Sequence, residues 1–403
     1  MSHRFKLEPV CGDSVEGSIT ILFEDEGNID YVIIVDSRYH HVTSTVGCPT
    51  VFTINLEDGI YDVDWYINHS KVYSMVVNHQ PNPSRLIFVS CDLKETRPRH
   101  SPWISIKNNN PHAVVHLGDN LYCDVEYANS QDKPQSVVKD YYMERYRSTW
   151  KGWIKELGGI SHYFGLDDHE IVDNVHTITT NSTIVAAMDC YDMYQSSLTG
   201  SRVHKPNDGR YWSKSWVVDD CPVQMVFTDR PRMSTMCYRP EALDLVDDDT
   251  QLLILAMAVP PFITPFTGYV IPEVDNGQYS QESCIELLDI LQRWRAEDDR
   301  RRVLIVSGDS HFGALADIDG IKFAISSPIT NQPLAGEISS VRHLRHNDVV
   351  LGNHRINFSK CVAKRNYLIV DIINSEFVLN LVELSSLPSL LKIPSVIRFV
   401  VKS

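Results

Sequence analysis

The sequence predicts a mixed α/β protein preceded by a small β-sandwich, and three observations predict it. Short β-branched and aromatic runs separated by turn residues fill residues 1–83. Continuous apolar runs follow, as in strands buried on both faces. Between those runs lie stretches whose apolar residues recur at helical spacing.

The first module is built from SITILFE, YVIIVDS, PTVFTINL, YDVDWYI and VYSMVV, divided by Gly, Asn, Asp or Ser clusters. Strands this short and evenly spaced indicate a sandwich. HQPNPS (79–84) has two prolines and no apolar residue, so it reads as a linker between a module at 1–83 and a second at 84–403. In the second module RLIFVS (85–90), AVVHL (113–117), QLLILAMAV (251–259) and VLIVS (303–307) read as buried strands. FAISS, YLIVDII and FVLNLVEL add strands toward the C-terminus. Residues 136–157 read as helical through Val138, Tyr142, Tyr146, Trp150 and Trp153, and 281–295 through Ile285, Leu288 and Leu291.

Composition narrows the function. The 403 residues are 43% hydrophobic and carry 37 Lys+Arg against 52 Asp+Glu, a formal net charge of −15. Wholesale disorder is excluded. A duplex nucleic-acid partner is disfavoured, because neutralising phosphates needs a basic face. A phosphate-ester substrate is not, because a bound metal supplies positive charge locally. The nine cysteines include no C-x-x-C pair, which fits reduced, buried thiols better than a disulfide framework. The N-terminus shows no apolar signal core, so a cytoplasmic or otherwise unexported protein is expected. The uncharged stretch 250–272 has only eight purely apolar residues, Leu252 to Val259. A transmembrane span needs about 20, so it reads as a buried strand running into a Pro-rich loop.

Four segments share one design, a buried strand ending in a loop of metal-ligand residue types. FVSCD ends in Cys91 and Asp92, and HLGDNLYCD carries Asp119, Tyr122 and Asp124. FGLDDHEIVDN carries Asp167, Asp168, His169, Glu170, Asp173 and Asn174, and VSGDSHFG carries Asp309 and His311. In open α/β sheets ligands bind beyond the carboxyl ends of strands. Alone, each loop reads as an Asx turn, a buried thiol or an acidic helix start. Gathered together, they would be a costly cluster of like charge without a cation. Oxygen, imidazole, thiolate and phenolate ligands in one place suggest two unlike metals, one iron and one oxygen-loving such as Ca²⁺, Mg²⁺ or Mn²⁺.

FVSCD, HLGDNLYCD, YMERYRSTW, LDDHEIVDN, TDRPR, VSGDSHFG and ISSPIT, in this order, resemble the alkaline phosphatase D (PhoD-like) branch of the calcineurin-like metallophosphoesterases. The likeness spans 85 to about 330, and NYLIVDI (366–372) is similar to the family's closing strand. It implies a two-sheet α/β/β/α sandwich behind an immunoglobulin-like domain, and a phosphodiesterase or phosphomonoesterase activity. By resemblance, Cys91, Asp119 and Tyr122 hold Fe³⁺, Asp119 bridges to a second ion, and Asp309 binds that ion. Asp168 takes the place of the superfamily's Asn ligand and His169 that of its catalytic His, with Asn174 as the other polar candidate for the second metal. His311 matches the last metal-binding His, or else contacts phosphate.

Two-metal chemistry would turn a bound water into a hydroxide nucleophile, with His169 protonating the leaving oxygen. Arg145 and Arg230 suit non-bridging phosphoryl oxygens because guanidinium forks match phosphate, a structural ion pair being the equal alternative. One departure stands out: Thr228-Asp229-Arg230 sits where the family has Asp-x-Arg. That departure and the added β-module motivate a second reading, a non-catalytic binding or structural protein that keeps the fold. Arg300–Arg302 are expected to form a solvated helix end, and 341–357 a surface loop.

Overall fold

A computed structural model describes residues 5–98, 101–123, 133–173, 182–200, 203–206, 209–229, 236–261, 280–333, 341, 344 and 349–384. The first seven strands are β1 (Leu7–Val15), β2 (Ser18–Glu24), β3 (Asp30–Val35), β4 (Arg38–Thr43), β5 (Thr50–Ile54), β6 (Gly59–Ile67) and β7 (Ser70–His79). They pair as a β1-β2-β5 sheet facing a β4-β3-β6-β7 sheet. Phe5, Phe23, Tyr31, Phe52 and Trp65 interlock between the sheets, mostly edge to face, at centroid separations of 5.0–6.0 Å. Five of these strands match the sequence runs. β1 and β4 are additions, because LEPVCGDSV and RYHHVT lack clean apolar alternation.

The next strands are β8 (Arg85–Val89), β9 (Ala113–His116), β10 (Ser161–Phe164), β11 (Val203–His204), β12 (Tyr211–Val218), β13 (Cys221–Thr228) and β14 (Leu252–Met257). β15 (Arg302–Ser307), β16 (Gly313–Ile318), β17 (Ile321–Ile325), β18 (Val349–Leu351), β19 (His354–Val362), β20 (Asn366–Ile373) and β21 (Glu376–Glu383) complete the series. They form a five-stranded sheet, β10-β9-β8-β20-β21, and a nine-stranded sheet, β11-β12-β13-β14-β15-β17-β16-β19-β18. In the first, β8, β9 and β10 run parallel. In the second, β13, β14, β15 and β17 do.

Strand periodicity assigns the faces. Leu86, Phe88, Ala113 and Val115 point into a core shared with Met225, Ile254 and Ile305 of the larger sheet. Ile87, Val89 and Val114 point the other way, under Trp103, Tyr142, Tyr146 and Trp150 of helices Pro102–Lys107 and Gln135–Trp150. Helix Gln281–Ala296 buries Leu287, Leu288 and Leu291 against the larger sheet; its Ser280 cap accepts the Ser283 N–H at 3.1 Å.

The sandwich is joined to this body by backbone contact. Gly158 O accepts the Cys11 N–H at 2.7 Å, and Gly159 O accepts that of Asn78 at 2.8 Å. A Cβ on Gly159 would lie 1.7 Å from the Val76 carbonyl oxygen, so glycine is required there. Beside this seam the fully buried Glu24 accepts from Arg147 at 2.5 and 2.9 Å and from the Tyr194 hydroxyl at 2.7 Å.

Two expectations change. Residues 349–362 form the β18–β19 hairpin rather than a surface loop, with Gly352 at φ 58° in its turn. His354 is fixed there between Asp319 (3.0 Å) and Asp289 (3.2 Å). Arg301 is not a solvated end: its guanidinium lies 4.6 Å from the Trp294 ring centroid, and Arg302 pairs with Glu376 at 2.7 Å. Of the charged residues in 341–348, Arg342, His343, Arg345 and His346 lie outside the described residues. No described helix is long and apolar enough to cross a membrane.

Candidate metal centre

Five parallel-strand ends meet at one place. β8 leads to Cys91, β9 to Asp119, β10 to Asp167–Glu170, β15 to Asp309 and β17 to Ser327. The chain turns sharply there: Cys91 (φ 58°), Asp119 (54°), Asp309 (59°) and His311 (51°) all adopt left-handed backbone. Each costs on the order of 1–2 kcal/mol for a residue bearing a Cβ, so the loops hold these side chains at the expense of local stability. Gly118, at φ 132°, lets the β9 loop approach the β10 loop; a Cβ there would lie 2.6 Å from that of Asp167.

Asp119 is the centre. Its Oδ2 lies 3.5 Å from Cys91 Sγ and accepts from the Tyr122 hydroxyl at 3.3 Å. The Tyr122 oxygen is 3.3 Å from His311 Nε2. Ligand atoms of Asp119, Asp168 and His169 lie within 4.8 Å of one another, as do those of Asp119, Asp167 and Asp309. The Tyr122 and His169 rings are in contact, with centroids 4.0 Å apart and planes tilted by 36°.

Electrostatics oppose this arrangement in the absence of positive charge. Burial first, then the neighbouring Cys91, Asp167, Asp168 and Glu170, push the Asp119 carboxyl well above its ordinary range. Burial, Cys91 and Asp119 do the same to the Tyr122 phenol. Burial also pushes the Cys91 thiol up, but the His311 imidazole and the Ser327 and Ser90 hydroxyls outweigh it and leave the thiol below its usual value. Asp119 Oδ1 is buried with no hydrogen-bond partner among the described residues. An orphaned carboxylate oxygen amid crowded anionic ligands is the environment a multivalent cation satisfies. The donor set therefore fits metal, and Asp119 is common to both candidate groups.

Of the residues singled out from sequence, Cys91, Asp119, Tyr122, Asp168, His169, Asp309 and His311 come together; Asn174, Arg230 and Asp124 lie outside the described residues. Arg145 takes its ion-pair alternative. It donates to Glu95 at 2.6 Å and to the Tyr122 carbonyl at 2.5 Å, bracing the 119–122 loop. Asp92 turns away to Arg97 (2.6 Å) and the Thr330 hydroxyl (2.9 Å). Asp229 is buried and accepts from Arg239 (3.0 Å) and the Arg210 N–H (2.8 Å), so the shifted Asp-Arg motif still supplies a structural carboxylate.

Three participants escaped the sequence reading of roles. Asp167 joins the Asp309 set. Ser327 Oγ accepts the His311 N–H at 3.1 Å and lies 3.1 Å from Cys91 Sγ. Asn331 Nδ2 reaches both the Tyr122 oxygen and His311 Nε2 at 3.2 Å. The signal for Asp167 was the DDHE segment, and that for Ser327 and Asn331 the ISSPIT run, which marked the loop but not its individual members.

Two sheets with acidic loops at the ends of parallel strands define a mixed α/β fold. In particular it is the fold of PhoD: that structure matches 96% of this chain and 88% of its own, with TM-score 0.69 and 13% identity. GAP50, the anchor in the inner membrane complex of Plasmodium, matches 75% of this chain and 85% of its own at TM-score 0.44 and 9% identity. A putative 5'-nucleotidase from Staphylococcus aureus matches 74% and 52% at TM-score 0.37 and 10% identity. These last two are too distant to bear on the site. No known family profile and no curated protein matches the sequence. The likeness to PhoD-like proteins read from the motifs thus has its counterpart in the fold.

Proposed function

We propose that the protein is a metal-dependent phosphoric ester hydrolase, a phosphodiesterase or phosphomonoesterase with a dinuclear centre. The observation that carries this is the convergence of seven ligand-type side chains from four strand-end loops around the orphaned oxygen of Asp119. Cys91, Asp119 and Tyr122, with His311 beside them, would hold one ion, and Asp119, Asp167, Asp168 and Asp309 the other. We assign them iron and a hard cation such as Ca²⁺ from the donor types. Bound cations would polarise the phosphoryl oxygens and acidify water at the site.

The chain's own groups do the rest. His169, half-buried and packed against the Tyr122 ring, would donate a proton to the leaving oxygen. Arg145 acts on the substrate only indirectly, by fixing the Tyr122 loop. Residues 84–403 are the catalytic unit in this reading. The division of the first seven strands into β1-β2-β5 and β4-β3-β6-β7 supports an immunoglobulin-like assignment for residues 1–83. The test is hydrolysis of a chromogenic phosphate mono- or bis-ester. Turnover is expected to fall at least about a hundredfold on chelation or in Asp119→Ala. Turnover surviving both would refute the proposal and favour a non-catalytic protein on the same fold.

A further inference from the structure

We infer that Glu170 is the positioning residue that sets the spacing of the two carboxylate-bearing loops, an inference that rests on the dinuclear reading of the centre. Glu170 is fully buried directly behind the cluster. Its Oε2 accepts the N–H of Asp119 at 3.1 Å and that of Asp167 at 3.0 Å, and its Oε1 accepts that of Asn120 at 2.5 Å. One side chain thereby pins the main chain of the β9 loop to the main chain of the β10 loop. The two residues it grips through Oε2 are the ones that pair with Asp309 as candidate ligands. The grip also holds Asp119 in its left-handed conformation (φ 54°), which an isolated loop would leave.

All three bonds require acceptors, and a carboxylate presents only acceptors. A carboxamide of the same shape turns an NH₂ toward at least one of the three amides. Glu170→Gln therefore keeps the volume and breaks the clamp. Asn120 adds support from the side, since its Nδ2 donates to Gln195 Oε1 at 3.2 Å.

The experiment uses the full chain. Hydrogen exchange resolved to short peptides reads the amides of Asp119, Asn120 and Asp167, and titration with Mn²⁺ reads cation affinity. Wild-type protein is expected to protect the three amides. In Glu170→Gln their exchange should accelerate at least about tenfold, Mn²⁺ affinity should fall about ten- to a hundredfold, and kcat should fall with little change in KM. A variant that melts lower but keeps wild-type affinity, exchange at these amides and kcat would reduce Glu170 to a packing residue and overturn the inference. If the variant does not fold, wild-type exchange decides: rates typical of exposed loops at these three amides would overturn it, and protection would support it. A wild-type protein that binds no Mn²⁺ would instead refute the dinuclear reading, and the exchange rates would still decide whether Glu170 clamps the two loops.

Discussion

Cys91 Sγ lies 3.5 Å from Asp119 Oδ2, although the two residues follow different strands and both sit in left-handed backbone. Two groups that repel when ionised are thus brought together by loops that favour neither conformation. The cost is borne by the sheets, where β8 and β9 pair in register and bury every residue from Leu86 to Val89 and from Ala113 to His116. Such an arrangement stores strain and like charge at one place, and a cation bound there would offset the charge.

Metal removal should therefore be visible in stability. An ion at a hundredfold excess over its Kd adds about 2.7 kcal/mol to the folded state. Thermal unfolding of the wild type should shift upward with Mn²⁺ and back with chelator. In Asp119→Asn the chelated protein should melt no lower than the chelated wild type, and the Mn²⁺ shift should be largely lost. An equal shift in both proteins would place the ion elsewhere.

A second prediction concerns pH. His162 Nε2 lies 3.0 Å from the Leu157 carbonyl and must donate to it, so Nδ1 accepts from His116 Nε2 at 2.9 Å. That arrangement requires His162 to be neutral, because its Nδ1 must stay free to accept. Burial, partly offset by the bond to Leu157, lowers His162 to about 4. Above pH ~6.5 neither the folded nor the unfolded state protonates this ring; below it the unfolded state binds a proton that the folded state refuses. Stability is complete above that pH and declines as pH falls toward 4, by roughly 2 kcal/mol between pH 7 and 5. Urea unfolding at the two pH values checks this, and His162→Gln should show a smaller difference than the wild type.

The seam between sandwich and core gives a third. Gly159→Ala would place a methyl 1.7 Å from the Val76 carbonyl oxygen, and backbone must move to relieve it. A loss on the order of 2–4 kcal/mol is expected in denaturant unfolding. Alanine at exposed Gly17, with nothing within 4 Å but φ 79°, should cost less, about 1–2 kcal/mol from backbone strain alone.

Much of the site was legible because its chemistry sits within a few residues of strand ends that announce themselves. VVHL runs straight into Asp119, and VLIVS into Asp309. The fold that gathers them was legible for the same reason, through apolar runs too continuous for one-sided strands. What was not legible depends on direction rather than residue type. Nothing in YMERYR says that Arg145 turns to Glu95 and Tyr122 O instead of the cluster. Nor does DDHE say that its last carboxylate faces backbone while its first joins Asp119 and Asp309 in a candidate ligand group. Ser327 and Asn331 carry no ligand signature, and only the fifth strand end, β17, brings them in. β12 and β13 were passed over because Lys214, Gln224 and Pro222 interrupt their apolar pattern; the structure satisfies Lys214 at the seam, bonded to the Ser14 carbonyl at 2.7 Å, and Gln224 through Leu245 O at 2.7 Å.

If these loops hold two cations for phosphate-ester hydrolysis, the ions themselves are the most direct test. Anomalous diffraction from crystals of the purified protein, collected across the iron edge and at longer wavelength, would locate them. Two peaks are expected flanking Asp119, one toward Cys91 and Tyr122 and the other toward Asp167 and Asp309. A well-ordered cluster with no peak at either position, in protein purified without chelator, would contradict the dinuclear centre.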